Sequence, residues 1–184
     1  LIIPQSVFAL TKDETVYAKF KNNGKVKNVT VTEHLINDDK LTNINDLTNL
    51  NNIKNLNGNE KYTLDNNKLT WQSKSKKDIY YQGSSNNNLP ITLDITYKLN
   101  GKIKKANEMK NKKGDVEITI KLINNDKHYV NGKNLYTPFV SALTTIVPTK
   151  YNSNVTVSNG KVISTGTNNV IAAIASPGLY ESLG

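Results

Sequence analysis

The chain has 184 residues and no cysteine, so it is long enough for one domain or two small ones, and disulfide frameworks and thiolate metal sites are excluded. Its formal charge is +9, and all 24 of its basic side chains are lysine. Without arginine the planar fork used on phosphates and guanine edges is missing, so nucleic acid is not an expected partner. Diffuse lysine suits anionic wall polymers or lipid headgroups, through an attraction that is indifferent to sequence and screened by salt. Asparagine fills about one position in six while alanine is scarce, the bias of an AT-rich genome. It points to a low-GC Gram-positive source and lowers the weight of any asparagine cluster as a site.

In chain order, Leu1 to Ala9 reads as the tail of an apolar stretch. Val7 and Ala9 stand at the −3 and −1 positions of a signal-peptidase site, and Thr11-Lys12-Asp13-Glu14 then turns polar. A first β-strand over the same residues is the competing reading. No later segment approaches the ~18 apolar residues of a membrane span, so any anchor is expected outside this chain. Val16, Ala18 and Phe20 alternate with Tyr17, Lys19 and Lys21, and Asn22-Asn23-Gly24 supplies turn positions. Val26 and the run Val29 to Thr32 then predict a β-hairpin with a phase slip near Asn28.

Leu41 to Gly58 is built of six triplets, each opening on Leu or Ile. An apolar residue every third position circles an α-helix without leaving one buried face. The expectation is an irregular segment of short helical turns packed on the first sheet. Farther on, Ile91, Leu93, Ile95, Tyr97 and Leu99 share one face of a strand closing on Asn100-Gly101. Val116, Ile118, Ile120 and Leu122 repeat the alternation. Between them, Ala106 to Lys113 is a polar connection with room for one helical turn. Short strands are predicted at Phe139–Val147, Asn154–Val157, Val162–Ser164 and Val170–Ala175, with helix and strand competing over Leu135–Ile146.

The chemistry-bearing residues are few. His34 and His128 lie far apart, and His128 has no acid at the i+3 or i+4 spacing of helical metal ligands. Glu33 points to the opposite face of the strand that carries His34. Asp38, Asp39 and Asp46 do not follow the calcium-loop spacing and read as turn or capping residues. No phosphate loop or nucleophile elbow is found, so no catalytic residue, metal or cofactor is expected. An intramolecular Lys–Asn bond requires a lysine, an asparagine and a buried acid together, but the first two are so abundant that their presence says nothing. Trp71, Tyr80 and Tyr81 are the candidate interaction surface, an aromatic platform for sugars or peptides. The alternative is that Trp71, Ile79 and Tyr81 fill the junction between two halves.

Lys12-Asp13-Glu14-Thr15-Val16-Tyr17, Trp71, Asp78 to Gly83, Leu89-Pro90 with Ile91 to Gly101, Lys113-Gly114 and Ser176-Pro177-Gly178-Leu179 occur in an order that resembles a clostridial group of secreted and membrane-anchored proteins. The chain looks like the extracytoplasmic head of the broad YhgE/Pip-like (phage-infection-protein-like) envelope group. The resemblance implies a β-rich head ahead of helical stalks and a membrane anchor, with no catalytic residues or cofactor to carry over. The polar 106–113 loop departs from it by lacking a Pro-Glu-Glu-Leu-like helix start.

The sequence thus predicts a mainly β protein. Residues 1–9 would be a leader remnant, 10–87 a mixed lobe with short helical turns, 88–175 an Ig-like, β-sandwich-like lobe, and 176–184 the lead into a stalk. Its expected role is a non-catalytic extracellular head that contacts a protein, an anionic wall polymer or a phage. A ligand-free spacer is the alternative, and a wall-acting hydrolase the remotest reading.

Overall fold

The structure, a computed structural model, describes residues 11–152 and 154–176 and the backbone of 182–183. The expected leader remnant, 1–9, lies outside the described residues, as does most of 176–184. Strands account for nearly all regular structure, as the alternating patterns require, and the one helical element among the described residues is a 3₁₀ turn. The chain divides into two compact units, Leu1–Lys21 with Val26–Asn88, and Asn22–Lys25 with Leu89–Gly184.

The first unit holds seven strands: β1 Thr11–Phe20, β2 Val26–Ile36, β3 Asn43–Leu47, β4 Asn51–Asn55, β5 Lys61–Asp65, β6 Lys68–Gln72 and β7 Ile79–Ser85. They form two antiparallel sheets, ordered β1-β2-β7-β4 and β3-β6-β5. The predicted hairpin is β1–β2. Lys19 pairs with Asn28 and Phe20 with Val26, so Lys27 is the extra residue of a bulge, one position from the expected slip. Strict alternation on β2 sends Val29, Val31 and Leu35 inward, and they share the buried core with Ile79 and Tyr81 of β7 and with Ile44, Leu69 and Trp71 of the other sheet. Each such side chain contributes about 1.5–3 kcal/mol relative to exposure, so this inter-sheet layer is what holds the unit together.

The triplet segment corrects an expectation: it forms β3 and β4 rather than helical turns. On an extended chain with period two, residues three apart fall on opposite faces. On β3, Ile44 is accordingly buried and Leu47, three residues on, is exposed by 74%. The triplet rhythm thus places neighbouring apolar residues of a strand on opposite faces, and only one of the two is buried.

The second unit carries β8 Ile91–Leu99, β9 Lys102–Lys104, β10 Val116–Asn124, β11 Lys127–Val130, β12 Lys133–Tyr136, β13 Ser141–Pro148, β14 Lys161–Ser164, β15 Asn168–Ala175 and β16 Ser182–Leu183. These make three small antiparallel sheets, β16-β10-β8-β9, β11-β12 and β13-β15-β14. The predicted stripes of β8 and β10 lie directly opposite each other, Tyr97 against Ile118, Ile95 against Ile120 and Leu93 against Leu122. Asn100 and Gly101 both take positive φ, as their hairpin requires, and Ala106–Met109 supplies the expected helical turn. Helix loses to strand over Leu135–Ile146, because Pro138 bars Thr137 from helical geometry and the β-branched run Thr144 to Val147 favours extension. Asn154–Val157, expected as a strand, is irregular.

Candidate functional site

The layer between the two sheets of the first unit contains one polar interruption. Glu33 occupies an inward position of β2, in phase with Val29, Val31 and Leu35, and only 3% of its side chain is exposed. Lys12 faces inward because it pairs across β1–β2 with fully buried Leu35, and Tyr81 lies opposite Glu33 on β7. The other sheet contributes Asp46, two residues beyond buried Ile44 on β3 and 8% exposed at its side chain. Three strands of one sheet and one of the other thus aim an amine, a phenol and two carboxyls at a common point.

Lys12 Nζ lies 3.2 Å from Glu33 Oε1, 3.2 Å from Asp46 Oδ1 and 3.4 Å from Asp46 Oδ2. The Tyr81 hydroxyl donates to Asp46 Oδ2 at 2.5 Å, the Leu47 amide donates to Asp46 Oδ1, and the Thr48 side chain hydrogen-bonds the phenol. Glu33 Oε2 is buried without a hydrogen-bond partner, as is Trp71 Nε1. Lys12, Asn45, Asp46, Leu47 and Lys68 line a shallow open depression beside the cluster.

The electrostatics follow from burial and charge count. Burial raises the Glu33 carboxyl above its ordinary range, outweighing the opposing pull of Lys12, and Glu14 and Asp46 push it the same way. Burial lowers the Lys12 ammonium, but Asp46 and Glu33 together outweigh it and the net shift is upward. Burial, reinforced by the bond to Asp46, drives the Tyr81 phenol far upward, so it stays a neutral donor. Two acids share one amine, and Glu33 is shut away from solvent, which favours holding a proton on its carboxyl.

The candidate platform residues separate. Trp71 and Tyr81 are fully buried in the core of the first unit, their rings 5.5 Å apart, so neither presents a face to a ligand. That corrects the aromatic platform for these two residues, and their place is between two sheets rather than at the junction of two halves. Their alternation with buried Leu69 and Ile79 sends both rings inward. Tyr80, on the opposite face of β7, is partly exposed and stacks on His34 at 3.9 Å.

His34 Nε2 sits 2.9 Å from Asp78 Oδ2, and the Asn37 amide donates to Asp78 Oδ1. This pair is brought together by β2–β7 pairing, 44 residues apart, which spacing within one element does not reveal. His128 lies 3.0 Å from Asp126 on the surface. Among the described residues no group of three or more His, Asp and Glu is placed to hold a metal. The Lys12–Glu33–Asp46 cluster was not singled out from sequence, yet its signal was present in the apolar stripe of β2 that Glu33 interrupts.

Compared with known proteins, the chain matches no family model, no curated protein and no solved structure.

Proposed function

We propose that this chain is a non-catalytic, extracytoplasmic head module of a Gram-positive cell-envelope protein, working through contact with another polypeptide. The observation that carries the reading is the surface of the second unit. There the strands leave large apolar side chains open to solvent, including Val116 and Ile118 on β10, Ile146 on β13 and Ile174 on β15. Val116 and Ile118, two residues apart and so on one face of β10, are the adjoining pair on which the reading rests, because neighbouring exposed apolar side chains rather than single ones mark interaction surface. The densest ionisable cluster of the first unit, by contrast, spends its polar atoms on contacts between its own sheets.

Labelling intact cells of the source bacterium with a membrane-impermeant amine reagent tests the location. Modification before lysis is expected, and modification only after lysis would overturn it. Replacing Val116 and Ile118 by Thr should abolish capture of the envelope partner while leaving the far-ultraviolet spectrum unchanged. Undiminished capture would remove β10 from the contact surface.

A second reading rests on charge. Among the described residues only Lys12 and Lys98 stand within ion-pair distance of a carboxylate, so most of the lysine charge is free to meet a polyanion. Cosedimentation with purified wall polymer at low salt, lost at high salt, is the expected result. No retention at low salt would sink it.

A further inference from the structure

Glu33, Lys12 and Asp46 are more than an ion pair needs. One carboxylate balances one ammonium, and a second carboxyl sealed beside them adds uncompensated charge at a substantial desolvation cost. The surplus acid, the phenol on the same carboxyl and the near-dry setting are the parts of an amide-forming site. We propose that Lys12 and Asp46 become joined by an intramolecular amide bond, with Glu33 as the proton shuttle, stapling β1 of one sheet to β3 of the other.

The geometry is that of reactants already in contact. Nζ stands almost equally far from the two oxygens of Asp46, 3.2 and 3.4 Å, so the amine is held against the whole carboxyl group. Holding an amine and a carboxyl this way replaces a dilute encounter by an effective molarity that reaches about 10⁵–10⁸ M in well-aligned cases. Such a concentration offsets the water that otherwise drives amide hydrolysis.

The proton inventory fits as well. Moving one proton from Nζ to Glu33 turns an ammonium and a carboxylate into a neutral amine and a neutral acid, and the burial of Glu33 favours its half of that exchange. Burial pushes Glu33 toward its protonated form, and its unpartnered Oε2 is a place for that proton.

The step balances without any further reagent. Neutral Nζ adds to Asp46 Cγ, and the charge that develops on Oδ2 is met by the Tyr81 O–H. Glu33, in contact with Nζ through Oε1, gives the proton it took from the ammonium to Asp46 Oδ1, then takes a second N–H proton and passes it to the hydroxyl so formed. The C–O bond breaks, water leaves toward the open depression at Lys12, Asn45 and Asp46, and Glu33 is left a carboxylate, as it was before it took the ammonium's proton. One amide and one water replace one amine and one acid.

The position explains the use of such a bond. β1 and β3 are both edge strands, and the residues of β1 from Thr11 to Tyr17 are exposed, so almost no apolar burial holds that strand's first half. A covalent link at Lys12 anchors it directly to the opposite sheet.

The test is the intact mass of the full chain, purified folded and then denatured. The expected mass is one water below the sequence mass. Trypsin should leave Lys12 uncut and release a branched product in which the 41–54 peptide is attached through Asp46. Lys12→Ala and Asp46→Ala should each restore the full mass. Asp46→Asn should reach the same final mass as the wild type, because ammonia leaves instead of water. Glu33→Gln should slow the loss by at least tenfold while near-ultraviolet circular dichroism from Trp71 reports an intact core.

Full sequence mass in the wild-type protein after prolonged incubation overturns the proposal, whatever the variants do. Loss of water that persists in Lys12→Ala or Asp46→Ala overturns the assignment, and an unslowed Glu33→Gln overturns the shuttle. The bond is independent of where the protein works, so its failure leaves the envelope reading untouched, and the reverse holds too.

Discussion

Lys12→Met keeps the aliphatic stem of the lysine and deletes the amine, which makes it the sharpest perturbation of the staple. The bond would close a loop of 34 residues between Lys12 and Asp46. Treating it as any covalent cross-link, that closure removes about 13 cal/mol/K of unfolded-chain entropy, or about 4 kcal/mol at 25 °C. For a unit the size of the first one, 1 kcal/mol shifts the midpoint by about 4–8 °C, so Lys12→Met should melt about 15–30 °C below wild type. A part-exposed ion pair, with 29% of the Lys12 side chain open to solvent, would account for only about 1 kcal/mol. Asp46→Asn separates the two cases independently. It removes the charge of a salt bridge yet still reacts to form the same amide, so it should melt with the wild type. Scanning calorimetry on the three proteins reads the order directly. If Asp46→Asn and Lys12→Met fall together by a few degrees, the cluster is a salt bridge and the covalent reasoning fails.

Three other consequences rest on different residues. Trp71→Ala empties the largest fully buried position and should cost about 3–5 kcal/mol by urea denaturation, whereas a loss below about 1 kcal/mol would remove Trp71 from the core. Gly83→Ala would set a methyl 2.7 Å from Leu50 Cβ and 2.9 Å from the Asn51 carbonyl, so it should destabilise by about 1–3 kcal/mol through overpacking, and an unchanged urea midpoint would contradict the close β7–β4 approach. The Asn37 amide, followed by His34, holds Asp78 below the ordinary carboxylate value of 3.8. Its stabilisation is thus present above that value and lost as pH falls through the lower folded one. The midpoint difference between wild type and Asp78→Asn should be fully open at neutral pH and close in acid; a difference independent of pH would refute the linkage.

Much of the β architecture was legible because alternation is a local property. The stripe Leu93, Ile95, Tyr97 and the stripe Ile118, Ile120, Leu122 needed only period two to be read, and they pair in that phase. The triplets from Leu41 misled because a three-residue rhythm leaves no single buried face on a helix and fits a turn or a lone solenoid coil, whereas on a strand it alternates faces. Trp71 was legible as a buried filler but not as one lying between two sheets of a single unit, since one ring in a short strand does not declare which face meets the second sheet. The Lys12–Glu33–Asp46 cluster was hidden for another reason. Glu33 gives a local sign by sitting where Val29, Val31 and Leu35 predict an apolar residue. Its partners, however, come from other strands across two sheets, and lysine is too common in this chain for Lys12 to stand out. The requirement for an asparagine also drew attention from Asp46, whose carboxyl supports the same chemistry.

The proton on Glu33 has a consequence of its own that mass measurements do not reach. In a Lys12→Met protein the carboxyl still faces Glu14 across β1, Asp46 on β3 and Tyr81 on β7, while the one cation that pulled its pKa down is gone. Burial, already the largest influence, then acts against the carboxylate with less opposition. An acid whose folded pKa lies above its ordinary 4.5 stabilises the fold most below that value and less as pH rises through the folded one. The Lys12→Met protein should therefore lose stability between acid and neutral pH through this group, the reverse of the Asp78 contribution. Adding Glu33→Gln removes the titrating group, so the double variant should gain on the single one as pH rises, read as diverging urea midpoints. Parallel midpoints across that range would mean that Glu33 ionises freely inside the sandwich. It would then have no reason to hold a proton beside Lys12, and the shuttle would lose its physical basis even if the bond itself were found.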